Sequence, residues 1–158
     1  SHRWQAPGPD HTLARMANLK SAPDHHDADL VLRLYDMRRE AVMRQSREVL
    51  VKFLPRSAED VMALTQPDHP QNVAWRQVTS YFEMAYSFAR HGVANPDFLA
   101  ENNGEGLLLF AKVQPYLAEV RKQFPLAFKN AEWLTENSES ARERLAMFQR
   151  RIAAMLEA

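Results

Sequence analysis

The chain has 158 residues, 46% hydrophobic and 25% charged, enough for one ordinary domain to bury a core without metal or disulfide staples. Twenty basic residues balance twenty acidic ones, and there is no cysteine. That removes disulfides, thiolate catalysis and Cys-ligated zinc, and leaves no global field to attract nucleic acid or anionic lipid. Only four glycines are present, which argues against a strand-and-turn-rich architecture and for helices.

Residues 1–26 carry Pro7, Gly8, Pro9 and Pro23 and only the short apolar pattern Leu13, Met16, Leu19, so an extended N-terminal arm is expected there, followed by a helical bundle domain over 27–158. The start at Ser1-His2-Arg3 rather than Met is what an expression scar would leave, with the natural beginning upstream. The first long helix is expected from Asp27, as N-cap, to about Phe53, before Pro55. Its apolar residues cover most of its circumference. Leu30, Leu34, Met37 and Ala41 form one stripe, Val31, Tyr35, Val42 and Val49 a second, and Leu32, Met43 and Leu50 a third. Such a helix is either central to a bundle or keeps one face for a partner.

Ser57-Ala58-Glu59-Asp60 resembles a capping box for a short helix that Pro67 and Pro70 close. From Asn72 to Gly92 the sequence sorts into two faces: Trp75, Val78, Tyr81, Phe82, Ala85, Phe88 and Ala89 on one side, with Ala74 and Tyr86 at its margins, and Arg76, Thr79, Ser80, Glu83, Ser87 and Arg90 on the other. An aromatic stripe of that length is a core helix. Gly92 supplies a left-handed helix end, and Asn95-Pro96 caps a short helix over 96–101. After the Asn102-Asn103-Gly104 turn, a long pattern runs from Glu105 to Phe124, with Pro115 expected to kink it from the polar side. A shorter helix is expected over 126–135. The last starts at Ser138 and carries an a/d-like seam of Ala141, Leu145, Phe148, Ile152, Met155 and Leu156, which packs on the bundle or forms a homodimer contact.

Asn72, Tyr81-Phe82-Glu83, Gly92, Gly104 or Gly106, Pro115-Tyr116-Leu117, Arg121 and Glu132-Trp133-Leu134 together resemble a family of uncharacterised bacterial helical proteins. The resemblance covers roughly residues 72–134. It implies an all-helical fold, and, because such proteins often carry an N-terminal membrane helix, an anchor upstream of residue 1. It brings no catalytic residues.

Three constellations are candidates for chemistry. Asp24-His25-His26-Asp27, with Asp29, concentrates potential metal ligands, yet adjacent histidines point apart and neither Glu-x-x-His nor His-x-x-x-His occurs. His25, His26 and Asp27 are therefore weak metal candidates, better read as an N-cap and a solvated loop. Glu83 lies between Arg76 and Arg90 on the polar face of its helix, and Glu83 with Arg121 is expected to form a partly buried structural ion pair. Glu83, Arg121 and Arg76 are the weak candidates for a ligand site. The arginine clusters around Arg38-Arg39 and Arg150-Arg151 are interleaved with acids and read as solvated helix faces. No nucleophile elbow, phosphate loop or dinucleotide fingerprint is present.

The sequence thus predicts an all-α bundle of five to seven helices with no cofactor and no catalytic residue. Its expected role is a non-enzymatic domain acting through protein contacts or homodimerisation, and the alternative is a small-ligand or metal site near Glu83. Nucleic acid is not expected as a partner, and membrane only through a segment upstream of residue 1. The expected location is cytoplasmic, membrane-tethered if that segment exists.

Overall fold

The computed structural model describes residues 19–158, so most of the expected N-terminal arm lies outside the described residues. The fold is all-α: about 75% helical, with no strand among the described residues.

The first long helix is two helices. Helix α1 spans His25–Arg38 and α2 spans Ala41–Lys52. Nothing in the sequence marks the break with Pro or Gly. Glu40 adopts extended geometry (φ −59°, ψ 142°), and its carboxylate accepts the N–H groups of Val42 and Met43 at 3.1 and 3.0 Å. An acidic side chain on the free amides of a helix start is stabilising both as a cap and through the helix dipole. The break also disposes of the surplus apolar stripes. Leu34, Met43 and Leu50 enter the core, while Leu32 and Tyr35 stay outside. The N-cap of α1 is Asp24, which accepts from the His26 and Asp27 N–H groups, and not Asp27.

Helix α3 (Ala58–Leu64) starts as expected: the Ser57 hydroxyl accepts the Asp60 N–H, and the Asp60 carboxylate reaches back to the Arg56 N–H. Helix α4 (Asn72–Arg90) buries Trp75, Val78, Tyr81, Phe82, Ala85, Tyr86 and Ala89. Tyr86, at the margin of the stripe, is the largest of the fully enclosed side chains, and its hydroxyl donates to the Asn103 carbonyl at 2.9 Å. Gly92 takes φ 75°, and Asn95 caps α5 (Pro96–Asn102) by accepting the Phe98 N–H.

Helix α6 (Gly106–Val113) begins where its backbone presses on the Phe82 ring. A Cβ at Gly106 would lie 2.5 Å from the ring Cγ, so glycine is required for close approach rather than for φ. Pro115 does more than kink the following pattern. It sits in a 3-10 turn, Gln114–Tyr116, that separates α6 from α7 (Leu117–Gln123). Helix α8 covers Lys129–Asn137, beginning later than the expected 126, and α9 covers Glu139–Glu157. The first four residues of the α9 seam are consumed internally: Ala141, Leu145, Phe148 and Ile152 are all buried, packed chiefly along α6, while Met155 is exposed and Leu156 half-buried. The other main packings set α2 and α8 against α4, which makes α4 the centre of the bundle.

Candidate functional site

The polar face of α4 is where the candidate residues converge, but their pairing differs from expectation. Glu83 does not bond Arg121. Its two carboxylate oxygens accept the backbone N–H groups of Asn130 and Ala131, each at 2.9 Å, so Glu83 caps the start of α8 from another helix. The Asn130 amide returns a bond to the Glu83 carbonyl at 3.0 Å, and Arg90 donates to the Asn130 side-chain oxygen at 3.1 Å. Arg121 instead donates to the Ala127 carbonyl and to Glu132, both at 3.0 Å, which closes the turn between α7 and α8. Burial raises the Glu83 pKa above its ordinary value. The two backbone amides and the nearby Arg121 and Arg90 guanidinium groups oppose that rise.

The expectation failed because α8 starts at Lys129 rather than Leu126. Phe128, its N-cap residue, takes left-handed geometry (φ 59°, ψ 21°), which turns the chain so that the first amides of α8 face Glu83. For a non-glycine residue that conformation costs about 1–2 kcal/mol. It persists because the Phe128 ring is buried against Trp75 and Phe110, with centroids 5.8 and 5.9 Å away. No residue-type signal in the sequence marks this turn beyond Pro125.

Beside this cap lies an open groove of about 640 Å³, lined on one side by Trp75, Arg76, Thr79, Ser80 and Glu83 and on the other by residues 123–128. Its walls are mainly apolar, and Leu126 and Phe124 stand on it 79% and 42% exposed. Arg76 contributes through its free end, since its Nε is spent on the Asn72 side-chain oxygen at 2.9 Å. Asn72 in turn is buried, and its amide donates to the Leu64 carbonyl at 2.8 Å, tying α4 to the end of α3. Of the sequence candidates, Glu83 and Arg76 therefore share one groove, and Arg121 braces its wall from behind through the Ala127 carbonyl.

The histidine cluster is not assembled into a site. His25 and His26 are exposed, Asp24 is spent as a cap, and Asp27 is buried, paired with Lys20 at 2.9 Å and accepting the Asn95 N–H at 3.3 Å. Asp27 thus clasps the start of α1 to the start of α5. Among the described residues no group of three or more His, Asp or Glu side chains could hold a metal ion.

Two polar features were missed by the sequence reading. Lys112 is buried in α6 and its ammonium donates to the carbonyls of Leu50 and Val51 at 2.9 and 2.7 Å, closing the C-terminus of α2. Burial lowers its pKa to about 8. Its i−3 and i+1 neighbours, Leu109 and Val113, are apolar, and a lone cation in such a run was the available signal. The second is the buried Asn103, whose side-chain oxygen lies 3.4 Å from both the Tyr81 hydroxyl and an Arg38 guanidinium nitrogen. Tyr81 also donates to the Leu34 carbonyl at 2.7 Å, and burial pushes its pKa up to about 12.

An all-helical bundle whose buried charges are spent on helix ends, with a mainly apolar groove open beside them, defines a helical domain without a three-ligand His, Asp or Glu metal cluster among the described residues. The chain belongs to the DUF4760 family, a domain of unknown function, whose model matches residues 23–138. That span contains α1 to α8 and runs well beyond the 72–134 resemblance. No curated protein and no solved structure matches the chain.

Proposed function

We propose that this domain is non-enzymatic and acts through protein contacts, with the groove between α4 and the 124–128 turn as its contact surface. The observation that carries this reading is the exposure of Leu126 and Phe124 at the edge of a mainly apolar groove. Apolar groups gathered at a concave surface favour burial by a partner, at about 25 cal/mol for each Å² removed from water. A second copy through α9 is disfavoured, because four of the six seam residues that suggested it, Ala141, Leu145, Phe148 and Ile152, are already buried. The resemblance to membrane-anchored bacterial proteins would place such a contact domain near a membrane through a segment upstream of residue 1.

The test is a photo-crosslinking residue at position 126 in the native host, with sedimentation of the purified protein alongside. A discrete crosslinked partner or a dimer that is lost in Leu126→Asp supports the reading. A strict monomer that crosslinks to nothing defeats it.

A second reading has its own observation. The groove volume falls within the roughly 300–1,000 Å³ of small-molecule sites, and Arg76 and Glu83 both line it. On this reading the domain binds a small apolar ligand, and Glu83 shapes the site without acting as a base, since both its oxygens are already engaged.

A further inference from the structure

The ligand reading of the groove can be carried to a chemical class, because the polar side chains along it are unequally committed. Glu83 is the only acid among the described residues that line it, and both its oxygens accept backbone amides at the positive end of α8. The hydroxyls of Thr65, Thr79 and Ser80 donate to the carbonyls of Met62, Trp75 and Arg76 within their own helices. Arg76 uses only Nε, on Asn72, and the Gln123 amide has no protein partner among the described residues. Besides the Trp75 indole N–H, which donates to no described residue, the side-chain donors left over are the terminal N–H groups of Arg76 and the amide of Gln123, one on each wall. Both suit an anionic acceptor, and guanidinium takes a carboxylate in paired geometry. Between and beside them the surface is Trp75, Val120, Phe124, Leu126 and Phe128. Apart from the Trp75 indole N–H, that surface offers nothing to a charged or strongly hydrated group and accepts a hydrocarbon chain.

Resting on the ligand reading, we propose that the groove binds a monocarboxylate with a straight apolar tail, its head held by Arg76 and Gln123 and its tail lying along Trp75, Phe124 and Leu126. An amine of the same length binds more weakly than the carboxylate, since Arg76 repels it and each Glu83 oxygen already accepts one backbone amide. An alcohol keeps the tail contacts and loses the charge.

The experiment titrates the folded chain with decanoate, decylamine and decan-1-ol below their aggregation limits, following the backbone amides of Leu126 and Phe128 by two-dimensional NMR. Saturable decanoate binding at those amides is expected, with decan-1-ol weaker by roughly tenfold, the size of one charge-assisted hydrogen bond. Arg76→Gln and Gln123→Glu lie on the surface and should each weaken decanoate by a larger factor than decan-1-ol. If decylamine or decan-1-ol binds as well as decanoate, or if neither substitution matters, the anionic class is wrong while a ligand groove survives. If none of the three probes shifts those amides, the ligand reading fails with it.

Discussion

Lys112 allows a quantitative test of how the core tolerates a cation. In the unfolded chain its pKa is the ordinary 10.5, and in the fold burial takes it to about 8. Because the folded value is the lower one, the unfolded chain holds the proton more tightly. Below about pH 8 both states carry it and the native state bears the full desolvation cost, about 3 kcal/mol for that difference. As pH rises from about 8 to about 10.5 the native amine loses its proton first and the cost is relieved. Substitution by Met removes the charge and keeps the stem, but deprives the carbonyls of Leu50 and Val51 of their donor. The two effects oppose each other, so Lys112→Met at about pH 7 should change stability by no more than about 1 kcal/mol. Between about pH 7 and about pH 9.5 the native protein should gain about 2 kcal/mol over the variant. Urea unfolding followed by circular dichroism at both pH values measures this as a difference, in which the tyrosine titrations cancel. Parallel pH profiles for the two proteins would refute the argument and mean that the carbonyls hold the ammonium without net cost.

Two further substitutions test the corner between α7 and α8. Glu83→Ala leaves the amides of Asn130 and Ala131 without an acceptor and should lower unfolding free energy by about 2–3 kcal/mol, whereas Glu83→Gln keeps one acceptor oxygen and should lose about 1 kcal/mol, in denaturant melts. Because burial raises the folded pKa of Glu83, wild type should lose ground to Glu83→Gln as pH rises from about 4.5 through that raised value; a wild-type advantage that shrinks on acidification instead would contradict it. Phe128→Ala should cost about 3–5 kcal/mol through the cavity beside Trp75 and Phe110, and Phe128→Gly, though smaller still, should be the more stable of the two by about 1 kcal/mol because glycine accepts φ 59° without strain. The order of the two melting temperatures decides the point.

The central helix was the most legible element. The spacing of Trp75, Val78, Tyr81, Phe82, Ala85 and Ala89 follows from 3.6 residues per turn, and all six are buried. Local caps were legible for the same kind of reason: Ser57, Gly92 and Asn95 act within a few residues of themselves. The break at Glu40 was not, since it needs no breaker residue and is favoured by sending Leu34 and Met43 to different neighbours. The pairing of Glu83 was illegible for a deeper reason. Which charge meets which depends on one left-handed residue in the following turn, and Phe128 adopts that geometry only because aromatic partners from α4 and α6 hold its ring. The expected Glu83–Arg121 pair is therefore replaced by Glu83 on the first amides of α8 and Arg121 on Ala127 and Glu132.

The division of the first long segment at Glu40 also has a consequence for cooperativity. Helix α2 is locked to α4 along its length, with Lys112 fastening its end and Arg47 donating to Glu105 at 3.1 Å. Helix α1 is attached more locally, by the Asp27 clasp on Asn95 at its start and, near its end, by the Tyr81 hydroxyl donating to the Leu34 carbonyl and Arg38 donating to the Asn103 side-chain oxygen. Because Glu40 already caps α2, releasing α1 leaves no uncapped helix start behind it. That makes the first helix a separable folding unit, able to detach from the bundle at a free energy below that of global unfolding while the rest of the core stays closed.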